Sequence, residues 1–136
     1  MPLPLKRILI ADAHPTMVAG VRQLLKELFE VSVMVADVPS LSDAVVRSDY
    51  DLVIADISIP RISGENVVRL LKRLRPKLRL IILSVHDEPV FVDECLAAGA
   101  EGFVLKRSAV DDLVPAVAAV LRGETYVSPS LLKAAA

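Results

Sequence analysis

Four apolar runs in this chain close on a polar residue able to do chemistry: Asp12, Asp56, Ser84 and Lys106. Two carboxylates, a hydroxyl and an ammonium suit an anion accompanied by a divalent cation. Aspartate oxygens are hard ligands for Mg²⁺. Ser84 can donate to a phosphoryl oxygen, and Lys106 can neutralise one as a point charge. His14 and His86 fall near the same run ends. Two histidines on separate loops with no third ligand predict exposed or structural side chains rather than a transition-metal site. No GxGxxG or GxxxxGKS/T motif follows the first run, which argues against a dinucleotide or P-loop site.

These residues need elements that bring them together. RILIA (7–11), VSVMVA (31–36), DLVIAD (51–56), LRLIILS (78–84) and GFVLK (102–106) are apolar on successive residues. Continuous rather than alternating apolarity predicts strands buried on both faces. Helical patterns lie between them. Pro15 suits a first helical position, with Val18, Val21, Leu25 and Leu28 following at steps of three and four. Ser40, with Asp43 three residues on, predicts the cap of a second helix. Gly64-Glu65-Asn66 opens a third, carrying Val67, Leu70, Leu71 and Leu74 and halted by Pro76. Glu88-Pro89 begins a fourth that runs to Ala98 and stops at Gly99. Ser108 with Asp111 predicts the cap of a fifth, whose apolar residues reach Leu121. Pro115 inside it removes a backbone donor and clashes one turn back, predicting a late start or a kink.

Strands alternating with single helices on short links require right-handed crossovers and an open parallel sheet. The expectation is an α/β fold, a doubly wound five-stranded (βα)5 sheet in three layers, over residues 1–122. GETYVSPSLLKAAA (123–136) reads as a departing tail or the start of a linker. In such sheets ligands bind beyond the carboxyl ends of the strands, where the winding reverses, and the four polar residues all fall at such ends.

Composition agrees with one globular domain. The chain has 136 residues, 54% of them hydrophobic, which suffices for a layered core and excludes disorder. No apolar stretch approaches the roughly 18 residues of a membrane span, and MPLPLKRIL lacks a signal-peptide layout. The single cysteine, Cys95, rules out an internal disulfide and fits a reducing cytosol. It falls in a helical stretch, where a buried inert thiol is expected. A net charge of −1 gives no overall pull toward nucleic acid or membrane. The exception, KRLRPKLR (72–79), reads as a solvated helix end entering a strand, cations being favourable at a helix C-terminus.

In their order, ILIADAHP, DLVIADISIPRISGEN, IILSVHDE and AGAEGFVLK make the chain resemble the receiver domain of bacterial two-component response regulators, over residues 6–122. It is most similar to the subclass that precedes a LuxR-type helix-turn-helix: His14-Pro15 follows the acidic position, Arg107 stands where other receivers have proline, and GETYVSP leads out. The resemblance implies a flavodoxin-like fold and a signalling role rather than an enzyme of metabolism. Asp56 matches the phosphoacceptor, whose carboxylate attacks a phosphoryl group carried by a sensor histidine kinase or a small phosphodonor. Mg²⁺ would be held by Asp12, Asp56 and the backbone carbonyl of Ser58. Ser84 and Lys106 match the family's hydroxyl and lysine. Phe103 matches the aromatic switch position, often Tyr, and His86 a position that tunes phosphate lifetime. The resemblance further implies a cytoplasmic homodimer that meets DNA only through an output domain outside this chain, with no membrane contact.

The chain departs from the family at one place. Receivers carry two adjacent acids after the first strand, the second being the direct metal ligand, and here that position is Ala13. Loss of mere outer support costs about 10–100-fold in metal affinity, so loss of a direct ligand predicts at least that. Two functions therefore stand side by side. One is a phosphorylatable receiver; the other is a receiver-shaped interaction or dimerisation module that works without phosphate. Asp12 on these readings either holds metal or pairs with Lys106. A small flavodoxin-like enzyme or nucleotide binder is the third reading, and the lack of a glycine-rich phosphate loop argues against it.

Overall fold

A computed structural model describes residues 7–12, 20–23, 25–26, 31–35, 37–56 and 64–131. Its strands are β1 (Arg7–Ala11), β2 (Val31–Val35), β3 (Leu52–Asp56), β4 (Leu80–Ser84), β5 (Gly102–Leu105) and β6 (Tyr126–Val127). They form one parallel sheet in the order β2-β1-β3-β4-β5-β6. Five of these are the strands read from the sequence, and the winding reverses between β1 and β3. The helices are α1 (helical at residues 20–23 and 25), α2 (Val38–Arg47), α3 (Gly64–Leu74), α4 (Pro89–Ala97) and α5 (Ala109–Leu121).

The unbroken apolarity of the strands follows from two cores, one on each face. Leu9, Ala11, Val53, Ala55, Leu80 and Ile82 pack with Leu41, Val68, Leu71 and Cys95 from α2, α3 and α4. Ile8, Ile10, Leu52, Ile54, Ile81 and Leu83 pack with Val21 and Leu25 of α1 and with Leu113, Val117 and Val120 of α5. Successive strand residues point to opposite faces, so each face takes every second one. Each fully buried Leu, Ile or Val stabilises the fold by about 1.5–3 kcal/mol. Cys95 is buried, as expected.

The differences from expectation lie at element ends. The cap of α2 is Asp37, not Ser40: the Asp37 carboxylate accepts the Ser40 N–H at 2.7 Å, which puts Ser40 inside the first turn. That backbone bond first, and then hydrogen bonding by the Ser40 side chain, hold the Asp37 carboxyl below its ordinary range. Ser108 does precede α5, but its side chain makes no cap bond. Nor does α5 start late: it runs from Ala109 through Pro115 to Leu121.

The basic run is more structural than solvated. Arg75 Nε donates to Val45 O at 2.7 Å, satisfying a carbonyl at the end of α2. Arg79 Nη1 donates to Leu121 O at 3.0 Å at the end of α5. Lys72 Nζ donates to Glu101 Oε1 and to Leu78 O.

The largest difference concerns residues 123–131, read from the sequence as part of a departing tail. Gly123, at φ +87°, adopts a left-handed conformation that only glycine takes without strain, and turns the chain back toward the sheet. Tyr126 and Val127 then pair with Gly102 and Phe103 as a sixth strand. Ser128 and Leu131 beyond it are buried.

Candidate functional site

Register assembles the four polar residues. Ala11 pairs with Ala55, so Asp12 emerges beside Asp56 at the reversal point. Asp56 pairs with Leu83, one residue before Ser84, and Ser84 pairs with Leu105, one residue before Lys106. Asp12, Asp56 and Ser84 are 3%, 1% and 0% exposed, and the Lys106 side chain is 10% exposed. Ionisable side chains are almost never buried so far unless partnered. Lys106 Nζ donates to Asp56 Oδ2. The ion pair of Lys106 is thus with Asp56, where the sequence left open a pair with Asp12. Desolvating either ion alone would cost several kcal/mol, which explains why the ammonium reaches inward. Asp12, Asp56 and Lys106 together leave one excess negative charge.

Ser84 is engaged with the β4–α4 loop. Its hydroxyl accepts the His86 N–H at 2.8 Å and donates to the His86 carbonyl at 3.3 Å. The His86 imidazole is exposed and lies 3.8 Å from the Glu88 carboxylate. It also starts an aromatic path inward. His86 meets Phe91 edge-on at 5.6 Å, and Phe91 meets Phe103 edge-on at 5.9 Å. Phe103 is 0% exposed, so the residue at the switch position points into the core. Arg107 Nη2 and Asp87 form an exposed pair at 3.3 Å beside the loop.

Among the described residues no three His, Cys, Asp or Glu side chains cluster as a metal site. Mg²⁺, however, is commonly held by one or two carboxylates with waters and substrate oxygens completing its shell. Asp12 and Asp56, on adjacent strand ends, supply two carboxylates. These two carboxylates are of the kind that fits Mg²⁺. Ala13, His14, Pro15 and Ser58 lie outside the described residues.

Sequence reasoning missed Ser128. Its hydroxyl accepts the Leu105 N–H at 3.0 Å, next to Lys106 in the chain. Ser128, one of two serines flanking Pro129, carries no signal in the sequence that it is the buried one.

The family description "Response regulator receiver domain" matches residues 8–118. The chain belongs to this receiver family. Among curated relatives, the transcriptional regulatory protein DegU of Brevibacillus brevis is 31% identical over 127 residues, covering 92% of this chain and 54% of its own. A LuxR-family response regulator from Aurantimonas sp. superposes with a TM-score of 0.87 at 27% identity, covering 96% of this receiver and 94% of that chain. The isolated receiver domain of RcsB from Salmonella enterica serovar Typhimurium, solved with the phosphomimetic BeF3⁻, gives 0.87 at 29% identity, with 96% and 98% covered. RcsB is also known as dimers bound to DNA; against that structure the TM-score is 0.85 at 29% identity, with 96% and 67% covered. The chain spans 54% of the length of DegU. It is thus a receiver of the kind found in LuxR-type transcriptional regulators, and among the described residues no helix is long and apolar enough to cross a membrane.

Proposed function

We propose that this receiver accepts a phosphoryl group on Asp56 and passes its state to an output domain. The single observation that carries the reading is Asp56 itself: a buried carboxylate at the reversal point, held by Lys106, with a second carboxylate and a hydroxyl on the flanking strand ends. A carboxylate oxygen of Asp56 attacks phosphorus in line. The bond to the donor's imidazole nitrogen or acyl oxygen breaks, the donor leaves with the electron pair, and an acyl phosphate forms. Lys106 then exchanges a carboxylate oxygen for a phosphoryl oxygen. Ser84 leaves the His86 carbonyl to donate to another. Asp12, Asp56 and the Ser58 carbonyl would hold Mg²⁺, which when bound neutralises charge on the transferring group.

The donor is a sensor histidine kinase or a small acyl phosphate. The reading is of a cytoplasmic, homodimeric regulator that meets DNA only through an output domain; RcsB, whose dimers are known bound to DNA, supports the dimer and the DNA contact. His86, exposed beside Ser84, is positioned to influence how fast water reaches the acyl phosphate.

The test is incubation with Mg²⁺ and acetyl phosphate, read by intact mass. One added phosphate is expected, absent in Asp56→Asn. Because Ala13 replaces a metal ligand, Ala13→Asp should lower the Mg²⁺ concentration needed at least about tenfold. No added phosphate in the wild type, with modification restored by Ala13→Asp, would overturn the reading in favour of a module that works without phosphate.

A further inference from the structure

The segment that closes the sheet is bonded to the end of β5, and the residue directly after β5 is the lysine that holds Asp56. We propose that residues 126–131 form a strap whose hold on the domain depends on the Asp56–Lys106 pair, so that the state of the site is transmitted through β5 to the point where the chain leaves the receiver. This deepens the signalling role above by naming a route to the output.

The bonds are specific. Tyr126 N–H donates to Glu101 O at 3.0 Å, and Ser128 N–H donates to Phe103 O at 3.0 Å. Ser128 Oγ accepts the Leu105 N–H at 3.0 Å, in a contact fully withdrawn from water. On the opposite edge of β5, Leu105 is in register with Ser84. Leu105 therefore lies between Ser84 of β4 on one side and the strap hydroxyl on the other. The next residue is Lys106, whose ammonium ends on Asp56.

Two further contacts hold the strap laterally. Tyr126 lies near the Asp112 carboxylate of α5; burial first, then that carboxylate's charge and hydrogen bonding, raise the phenol above its ordinary pKa. Val127 and Leu131 lie against Val92 and Leu96 of α4, leaving a groove of about 100 Å³. That is well under the roughly 300 Å³ of a ligand pocket.

A β-strand two residues long has little stability of its own. Local opening free energies run from near zero up to the global value, and an edge segment held by a few hydrogen bonds belongs to the low end. Such an element responds measurably when one of its anchors moves. Lys106 is the residue that must change partners when Asp56 changes charge, and its backbone follows directly on the Leu105 N–H that Ser128 binds.

The test is hydrogen exchange of the full chain by mass spectrometry, following a peptide that spans 124–131, in wild type, Asp56→Asn, Lys106→Met and Ser128→Ala. Asp43→Ala, on the exposed face of α2, is the control. Exchange in the strap should rise at least about threefold in Asp56→Asn without matching change in the 7–11 peptide, and should rise in Lys106→Met as well, on top of that variant's global loss of stability. Ser128→Ala should expose the Leu105 amide as well. Strap exchange equal to wild type in both site variants overturns the proposal, as does a rise shared equally by the 7–11 peptide in Asp56→Asn, which would report global loosening. Intact mass after acetyl phosphate is read in parallel. The exchange comparison uses no phosphodonor, so a chain that takes no phosphate removes the receiver reading and leaves this comparison standing.

Discussion

Two lysine–carboxylate pairs sit at opposite ends of the same sheet. At the amino ends of the strands, Lys72 and Glu101 form a closed clip: Lys72 also donates to Leu78 O, and Glu101 Oε2 also accepts the Leu80 N–H at 2.7 Å. The clip ties the end of α3 to the starts of β4 and β5, and its side chains are 17% and 30% exposed. At the carboxyl ends, Lys106 and Asp56 are buried to 10% and 1% exposure, with Asp12 on the adjacent strand end. The first pair is electrically balanced and its partners are backbone groups. The second pair has a further buried carboxylate, Asp12, on the adjacent strand end, so the three groups together carry an excess negative charge. One chemical pair thus serves as a fastener in one place and as a reactive centre in the other, according to what completes its surroundings.

The comparison can be broken by substitution. Lys106→Met should have the largest effect, about 3 kcal/mol or more lost in urea unfolding, because it strands a buried carboxylate beside another. Asp56→Asn should instead fall within about 1 kcal/mol of wild type, since it removes the excess charge and relieves like-charge repulsion. Equal losses in both would mean that the upper pair is a fastener too. Lys72→Met should cost about 1–1.5 kcal/mol, because Glu101 keeps the Leu80 N–H and reaches water. A loss matching Lys106→Met would erase the distinction between the two ends.

The smallest effect is one of pH. The Tyr126 phenol is raised above its ordinary value of 10.0. Between that value and the raised one the unfolded chain has lost the proton and the folded chain retains it. Stability from this contact is therefore complete below about pH 10 and falls as the pH rises through the folded-state value. Unfolding midpoints measured from pH 9 to 11 should decline less steeply in Tyr126→Phe, and identical slopes would sever the strap from α5.

Much of this was legible beforehand because parallel strands advertise themselves. Buried on both faces, RILIA, DLVIAD and LRLIILS have no polar face to alternate, and their polar ends give the site residues away. Element ends were less legible. Asp37 and Ser40 both suit a cap by type, and only the backbone conformation at Asp37, extended at φ −147°, decides between them. Pro115 reads as a helix stop, yet α5 passes through it, its Ala116, Val117 and Val120 side chains buried against the sheet. Packing of that face outweighs the single backbone bond that proline removes.

The order of apolar runs and helical repeats by itself determined the doubly wound sheet, because burial on two faces and right-handed crossovers leave few other arrangements. It also determined which residues end the strands, and hence that Asp12, Asp56, Ser84 and Lys106 share a rim. Only the tertiary structure decided that Lys106 pairs with Asp56, that Phe103 lies inward, and that Tyr126 to Leu131 close the sheet rather than depart from it. Those outcomes rest on contacts between residues far apart in sequence, where residue type sets what a side chain can bond and the fold alone sets what it meets.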